Sequence, residues 1–287
     1  IDPDIITEDD LSTFIEAPYA GQGVRTMYDR RVNDWITVTA YLFDASFNDG
    51  LTSEIQVNPE FGSSDSAFIE AEKYGIEIGR LPTALRADVE TVWIHQGTQP
   101  FGGGNNNILI HIGQALNYIN DGILEETLVH EAAHTSLDAY HSNSSGWIAA
   151  QTMDGEFIST YAQDYPDRED IAESFLPYLA IRYRSERINQ QTSDIITQTI
   201  PNRIQYFDDQ SFNMYPINAL ANDDDPSIND YSIQQNYPNP FNPITRLQFS
   251  IPVKSFVSIT IYDLIGKKVK TLLNQDQNAG YGSIIWD

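Results

Sequence analysis

Near residue 218 the texture of the chain changes, and one continuous core cannot run through the break. The stretch ALANDDDPSINDYSIQQNYPNPFNP (219–243) is rich in Asp, Asn and Pro and has no apolar period, the mark of a linker leading into extended chain. Three parts follow: a larger domain over 1–217, an acidic linker over 218–230, and a small domain over 231–287. In the small domain TRLQFSI alternates at Leu247, Phe249 and Ile251, and FVSITIYDLIGKKV alternates at Val257, Ile259 and Ile261. That period of two predicts an antiparallel β module.

The larger domain reads as α+β. WITVTAYLF (35–43) and LTSEIQV (51–57) predict two strands joined across the NDG turn at 48–50. Phe68, Ala71, Gly75 and Ile78 recur at helical spacing up to Pro82. VETVWIH (89–95) and ILIHIG (108–113) predict strands, with PFGGGNNN (100–107) as a loop between them. A helix is expected over 124–139. Another starts near Pro166 and carries EDIAESFLPYLAIRYR, with Pro177 expected to kink or break it.

With 287 residues and 41% hydrophobic content, the chain has material for a buried core. Its 16 basic and 41 acidic residues give a net charge of −25, which argues against nucleic acid or an anionic membrane as a partner. No run has the length of a membrane span. The start, IDPDIITEDDLSTF, is acidic rather than basic and then apolar, so it does not read as a signal peptide. Cysteine is absent, which leaves His, Asp and Glu to hold any transition metal. The run NDDDPSIND (222–230) lacks the spacing of a calcium loop and reads as solvated linker, with calcium an unsupported alternative.

Three of the five histidines fall in LEETLVHEAAHTSLDAYH (124–141). On a helix, residues four apart share a face, so His130, His134 and Asp138 form a row. Two imidazoles at that spacing can bind one Zn2+ ion. Glu131, about a hundred degrees round the helix from His130, can reach a water that the zinc acidifies and take its proton as general base. His95 and His111 read as ordinary strand histidines before substrate contacts, and Trp147 as core.

Two resemblances extend this reading. NYPNPFNPITRLQFSIP…VSITIYDLIGKKVKTLL…AGYGSIIWD, from Tyr231 to Asp287, resembles the C-terminal sorting domain of type IX secretion substrates. The resemblance implies an immunoglobulin-like β-sandwich read by the outer-membrane export machinery. It also implies a secreted or surface-anchored protein of a Gram-negative bacterium of Bacteroidota type. Members of that family continue past the point where this sequence stops, so truncation before a closing strand is expected. HEAAHTSLD in turn resembles the gluzincin metallopeptidases, which carry an Asp four residues after the second histidine; Asp138 stands there. FISTYAQDYPDREDIAESF (157–175) resembles the corresponding stretch of the anthrax lethal factor family. By that resemblance Glu169 is the third zinc ligand, Asp138 orients a ligand imidazole, Glu173 supports the site or serves as fallback ligand, and Tyr161 steadies an oxyanion. The fold implied is a zincin-like domain, a mixed sheet with active-site helices. The strand ILIHIG would then be the cleft edge that pairs with substrate, and PFGGGNN a mobile loop over the site. Metzincins place a third histidine six residues after the second, behind a glycine. Here His141 lies seven after His134 and Leu137 holds the glycine position, which leaves His141 as the alternative ligand.

The function expected is therefore a secreted zinc metallopeptidase acting on peptide or protein substrates. The alternatives are a surface-displayed binding or adhesion protein with a non-catalytic zincin-like domain, and a metal-dependent hydrolase of other substrates. A binding protein tolerates Glu131→Gln; a hydrolase does not.

Overall fold

The computed structural model of the protein describes residues 4–220, 231–233, 236, 245–263, 265–277 and 280–286. The chain divides into two compact units, Ile1–Pro216 and Ile217–Asp287. The linker was expected over 218–230; its first residues belong to a 3-10 turn, Ile217–Leu220, and 221–230, with the acidic run, lie outside the described residues, as does most of NYPNPFNP.

The first unit is α+β. Its strands are β1 (Phe14–Glu16), β2 (Tyr19–Asp29), β3 (Asp34–Phe47), β4 (Thr52–Val57), β5 (Thr91–His95), β6 (Gly102–Gly104) and β7 (Asn107–His111). Its helices are α1 (Ser64–Gly79), α2 (Thr83–Arg86), α3 (Ile112–Asp121), α4 (Leu124–Ser136), α5 (Asp138–His141), α6 (Ser145–Asp154), α7 (Thr160–Asp164), α8 (Asp170–Tyr183), α9 (Gln190–Thr199) and α10 (Pro201–Asp209). Among the described residues the strands form one sheet in the order β1-β3-β4-β5-β7-β6, with β2 also paired to β3. β4, β5 and β7 run parallel, in register from Val57 through Ile94 to Ile110. The rest of the ladder is antiparallel.

Parallel strands are covered on the helix side, which is why Val92, Ile94, Ile108 and Ile110 are almost wholly buried. The helix α1 starts where the Ser63 hydroxyl accepts from the Ser66 N–H. Its expected apolar row is inward at Ala71, Gly75 and Ile78. Gly75 lets the Phe14 ring lie against the helix, since a Cβ there would overlap it. α3 ends on Gly122, whose φ of 68° is the left-handed turn that stops a helix. α4 follows at once, with Glu125 and Glu126 in its first turn suiting the positive end of the helix dipole.

The structure departs from the sequence reading at the sheet edge. β7 is not the free edge: β6 pairs with it antiparallel, Gly102 to Leu109 and Gly104 to Asn107. The run expected as a mobile loop is thus an edge strand. Three glycines carry no strand signal, but their lack of side chains makes the position workable. A Cβ on Gly103 would collide with the backbone carbonyl of Glu131 on α4, so glycine is what lets the strand lie directly against the helix. Thr135 fixes the approach, donating to the Asn107 carbonyl at 2.7 Å and accepting the Gly104 N–H at 2.8 Å. We expect Gly103→Ala to destabilise the unit by about 1–3 kcal/mol, the usual cost of overpacking. Gly102→Ala, whose Cβ would meet only the movable Arg30 side chain, should cost less. Urea denaturation of the two variants checks the contrast.

α8 was expected to kink or break at Pro177, and it does not break: the helix runs through it. The missing N–H costs one helical hydrogen bond, and burial of Ile171, Phe175, Tyr178 and Leu179 along the same helix outweighs that loss. Trp147 is fully buried against Tyr206 and Phe207, a core residue as expected.

The second unit contains β8 (Ser232–Ile233), β9 (Thr245–Ile251), β10 (Ser255–Tyr262), β11 (Lys268–Gln277) and β12 (Gly280–Trp286). They form a three-stranded sheet, β12-β9-β8, and a two-stranded sheet, β10-β11, both antiparallel. Leu247, Phe249, Ile251 and Ile259 are buried together, with Val257, Ile261, Leu273 and Ile284 packed against them. The alternation read from the sequence is what gives each strand its apolar face. No described helix is long and apolar enough to cross a membrane.

Candidate metal centre

α4 presents His130 and His134 on one side, one turn apart, toward the start of α8. Glu169 stands at the N-cap of α8 and so precedes that helix by one residue. Its backbone N–H donates to the Tyr165 carbonyl at 2.8 Å, which directs the side chain back toward α4. The side-chain donors of His130, His134 and Glu169 lie within 4.8 Å of one another. His134 Nε2 is 3.1 Å from His130 Nε2 and 3.1 Å from Glu169 Oε2. His130 Nε2 and Glu169 Oε2 are 3.6 Å apart.

These separations carry chemical meaning. Ligands bonded to zinc at about 2.0–2.1 Å in tetrahedral geometry sit roughly 3.3 Å apart, and the three observed edges bracket that figure. The tautomers agree. His134 Nδ1 faces Asp138 Oδ2 at 2.7 Å, and an ionised carboxylate only accepts, so Nδ1 carries the hydrogen and Nε2 offers a lone pair. His130 Nδ1 faces Glu173 Oε1 at 3.4 Å, which favours the same tautomer. Three lone-pair donors converging on one point repel unless a cation lies between them. The donor set is two imidazoles and a carboxylate, with no thiolate, and it fits a zinc ion with a fourth position open.

The surrounding charges suit these roles. Burial works against ionising Glu169, but the neighbouring imidazoles of His130 and His134 and the Arg168 hydrogen bond outweigh it and hold its pKa at about 2. The carboxylate is therefore ionised at any working pH. Burial also opposes charge on His134, yet the Asp138 hydrogen bond and negative charge keep its pKa above the ordinary value. For Glu131 burial dominates and pushes the pKa up, against the attraction of His130 and His134. A carboxyl raised in this way is a better proton acceptor than an exposed one.

The other expected site residues fall as follows. Asp138 opens α5 and reaches back one turn to His134. Glu173 sits beside His130. Tyr161 lies at the site, half-exposed, and its hydroxyl donates to Glu169 Oε1 at 3.1 Å. Arg168 donates to the same oxygen at 2.9 Å, so the Glu169 oxygen turned away from the histidines is held by two donors. Arg168 was not anticipated; its signal was only adjacency to Glu169. His141 is outside the cluster: its Nδ1 pairs with the Tyr206 hydroxyl at 2.8 Å, and Phe212 packs edge-on against its ring. A cavity of about 310 Å³, lined by His130, Glu173, Leu176, Ile188 and Ile195 among others, opens beside the histidines. Its walls come from five separate segments, so no local pattern announces it.

His95 and His111 are fully buried and stacked with ring centroids 5.4 Å apart. Burial, helped by the neighbouring His111 and offset in part by Asp29, lowers the His95 pKa to about 4. Burial lowers that of His111 as well. Unfolded histidine titrates near 6.5, so between about pH 4 and 6.5 the unfolded chain binds more protons than the folded one. The stabilisation from keeping His95 neutral is complete above pH 6.5 and is lost as pH falls through that window, by at most about 3 kcal/mol. Urea denaturation at pH 7.5 and 5.0 should show a drop that shrinks in His95→Asn.

Comparison with known proteins bears on the second unit. Residues 235–281 match the model of a family described as the secretion system C-terminal sorting domain. Such a domain marks a chain for the type IX secretion machinery and for release or display at the cell surface, as is typical of Bacteroidota. No curated protein matches the chain. No solved structure matches it either.

Proposed function

We propose that the protein is a secreted zinc-dependent metallopeptidase, a zincin-like domain of gluzincin type carried by an immunoglobulin-like sorting module. The observation that carries this reading is the convergence of His130 Nε2, His134 Nε2 and Glu169 Oε2 at zinc-ligand spacing, with the Glu131 carboxyl on the same helix. Zinc held there would supply a Lewis acid that polarises a carbonyl and acidifies water. The remaining work belongs to the chain. Glu131 accepts a proton from the attacking water and returns it to the leaving amine. Asp138 fixes the His134 tautomer and ring orientation. Arg168 and Tyr161 hold the outer oxygen of Glu169, leaving the inner one to the metal. Tyr161 also has a hydroxyl within reach of charge that develops at the site. β6 ends the sheet, so an extended peptide would add beside it, in the place assigned to β7 from sequence.

The test is hydrolysis of a quenched-fluorescence peptide library by the purified full chain. We expect cleavage that stops on adding a zinc chelator and returns when zinc is restored. Cleavage indifferent to chelation, or no cleavage by protein that carries zinc, would overturn the peptidase reading. The sorting module would then deliver a binding protein.

A further inference from the structure

Successive residues of a strand face opposite sides. Gly103 faces α4, so Gly102 and Gly104 face the other side of the sheet. A cleft of about 240 Å³ lies there, lined by Tyr28, Trp35, Trp93, Gly102 and Leu109 together with Arg30. Its aromatic wall is continuous: Tyr28 meets Trp35 edge-on at 5.5 Å, and Trp35 meets Trp93 edge-on at 5.4 Å. Trp35 is half-exposed, an uncommon state for so large an apolar surface.

Two hydrogen-bond donors beside this cleft have no partner among the described residues of the protein. The Trp93 indole N–H is buried without a partner. Arg30, in the turn between β2 and β3, has no carboxylate partner. Among the described residues of this unit every other arginine has one, for example Arg25 with Glu54, Arg31 with Asp29 and Arg86 with Asp49. In a chain of 41 acidic and 16 basic residues, an arginine left unpaired stands out. It lies against Gly102, where a Cβ would come 3.0 Å from its guanidinium, and its charge is felt at the Glu131 carboxyl. An exposed guanidinium with no carboxylate partner in the fold is free to take one from a ligand. A single guanidinium suits a singly charged carboxylate, which it can hold by two parallel bonds. More heavily charged phosphates would meet repulsion from the net −25 of the chain.

We propose that this cleft anchors a carboxylate of the peptide bound along β6, with Arg30 as its counter-ion and the aromatic wall around the carbon chain that carries it. The inference rests on the peptidase reading for the placement of the peptide, and it makes binding depend on a carboxylate at this position. The carboxylate is either an acidic side chain or the peptide's C-terminus.

The experiment uses the full chain as Glu131→Gln, so that bound peptides are not consumed, and follows tryptophan fluorescence on titration. Three matched hexapeptides are compared: one with an internal Glu and an amidated end, one with Gln and a free C-terminus, one with Gln and an amidated end. We expect one carboxylate-bearing peptide to bind about tenfold or more tighter than the neutral one, and which one it is identifies the source. The advantage should vanish in Arg30→Ala, return in part in Arg30→Lys, and persist after zinc is chelated. Arg30 is an exposed turn residue, and unchanged circular dichroism confirms that its variants fold. Equal binding of all three peptides, including none, overturns the proposal, as does an advantage that survives Arg30→Ala. Failure of the peptidase reading looks different: the wild type would lack zinc or turnover while the Arg30-dependent preference remained.

Discussion

Glu131→Gln is expected to keep the zinc content of the wild type and to lower peptide hydrolysis by about 10²–10⁴-fold, the range that a positioned general base contributes. The substitution is nearly isosteric, so the packing of α4 against β6, fixed by the Glu131 backbone carbonyl and Gly103, is unaffected. Glu131 is not among the converging donors, so its loss leaves the metal in place. The proton acceptor is what goes. An amide cannot take a proton from water, and no other carboxyl on α4 faces the same point: Glu125 and Glu126 lie in the first turn, and Glu126 is occupied with the Ile5 and Ile6 N–H groups. Paired measurement of metal by mass spectrometry and of turnover on a fluorogenic peptide decides the matter. Undiminished turnover removes Glu131 from the base role. Loss of zinc makes it a ligand. A wild type that binds peptides and never cleaves them supports the adhesion reading.

What could be read from the sequence follows the range of the interactions involved. The motif helix was legible because His130 and His134 signal through a spacing of four, and Asp138 because it extends the same row. The strands β3, β4, β5 and β9 were legible because a half-buried sheet writes a period of two into the chain. Glu169 reaches the site across 35 residues, and no local pattern separates a ligand from an acid that opens a helix; resemblance alone singled it out. β6 was misread because three glycines have no side chains to alternate. Its place is fixed by what a side chain would strike on α4. Arg30 was invisible for a related reason, since being unpaired is a property of the folded surroundings and not of the residue. The helices α9 and α10 are polar in composition and were not singled out, although Ile196, Ile204 and Phe207 on them are buried.

Glu169→Ala should remove the metal where His141→Ala does not. The two residues were the competing third ligands, and the fold separates them. Glu169 is 4% exposed, ionised, and aimed at both histidine Nε2 atoms. His141 spends its Nδ1 on Tyr206 within an aromatic cluster. Deleting an orienting partner such as Asp138 lowers metal affinity by roughly 10–100-fold, and deleting a ligand should exceed that. The expected ranking of zinc affinity, measured by competition with a chromophoric chelator, is therefore wild type and His141→Ala together, Asp138→Ala below them, and Glu169→Ala lowest. Because Glu169 also collects Arg168 and Tyr161, its removal frees two donors, and Glu169→Gln serves as the control that keeps an acceptor in place without the charge. If Glu169→Gln loses zinc as Glu169→Ala does, the charge of the ligand is what holds the ion. If Glu169→Ala binds zinc as tightly as the wild type, the ion is held without Glu169. The nearest carboxylate to His130 is then Glu173, and the His130–Glu173 pair replaces the arrangement proposed here.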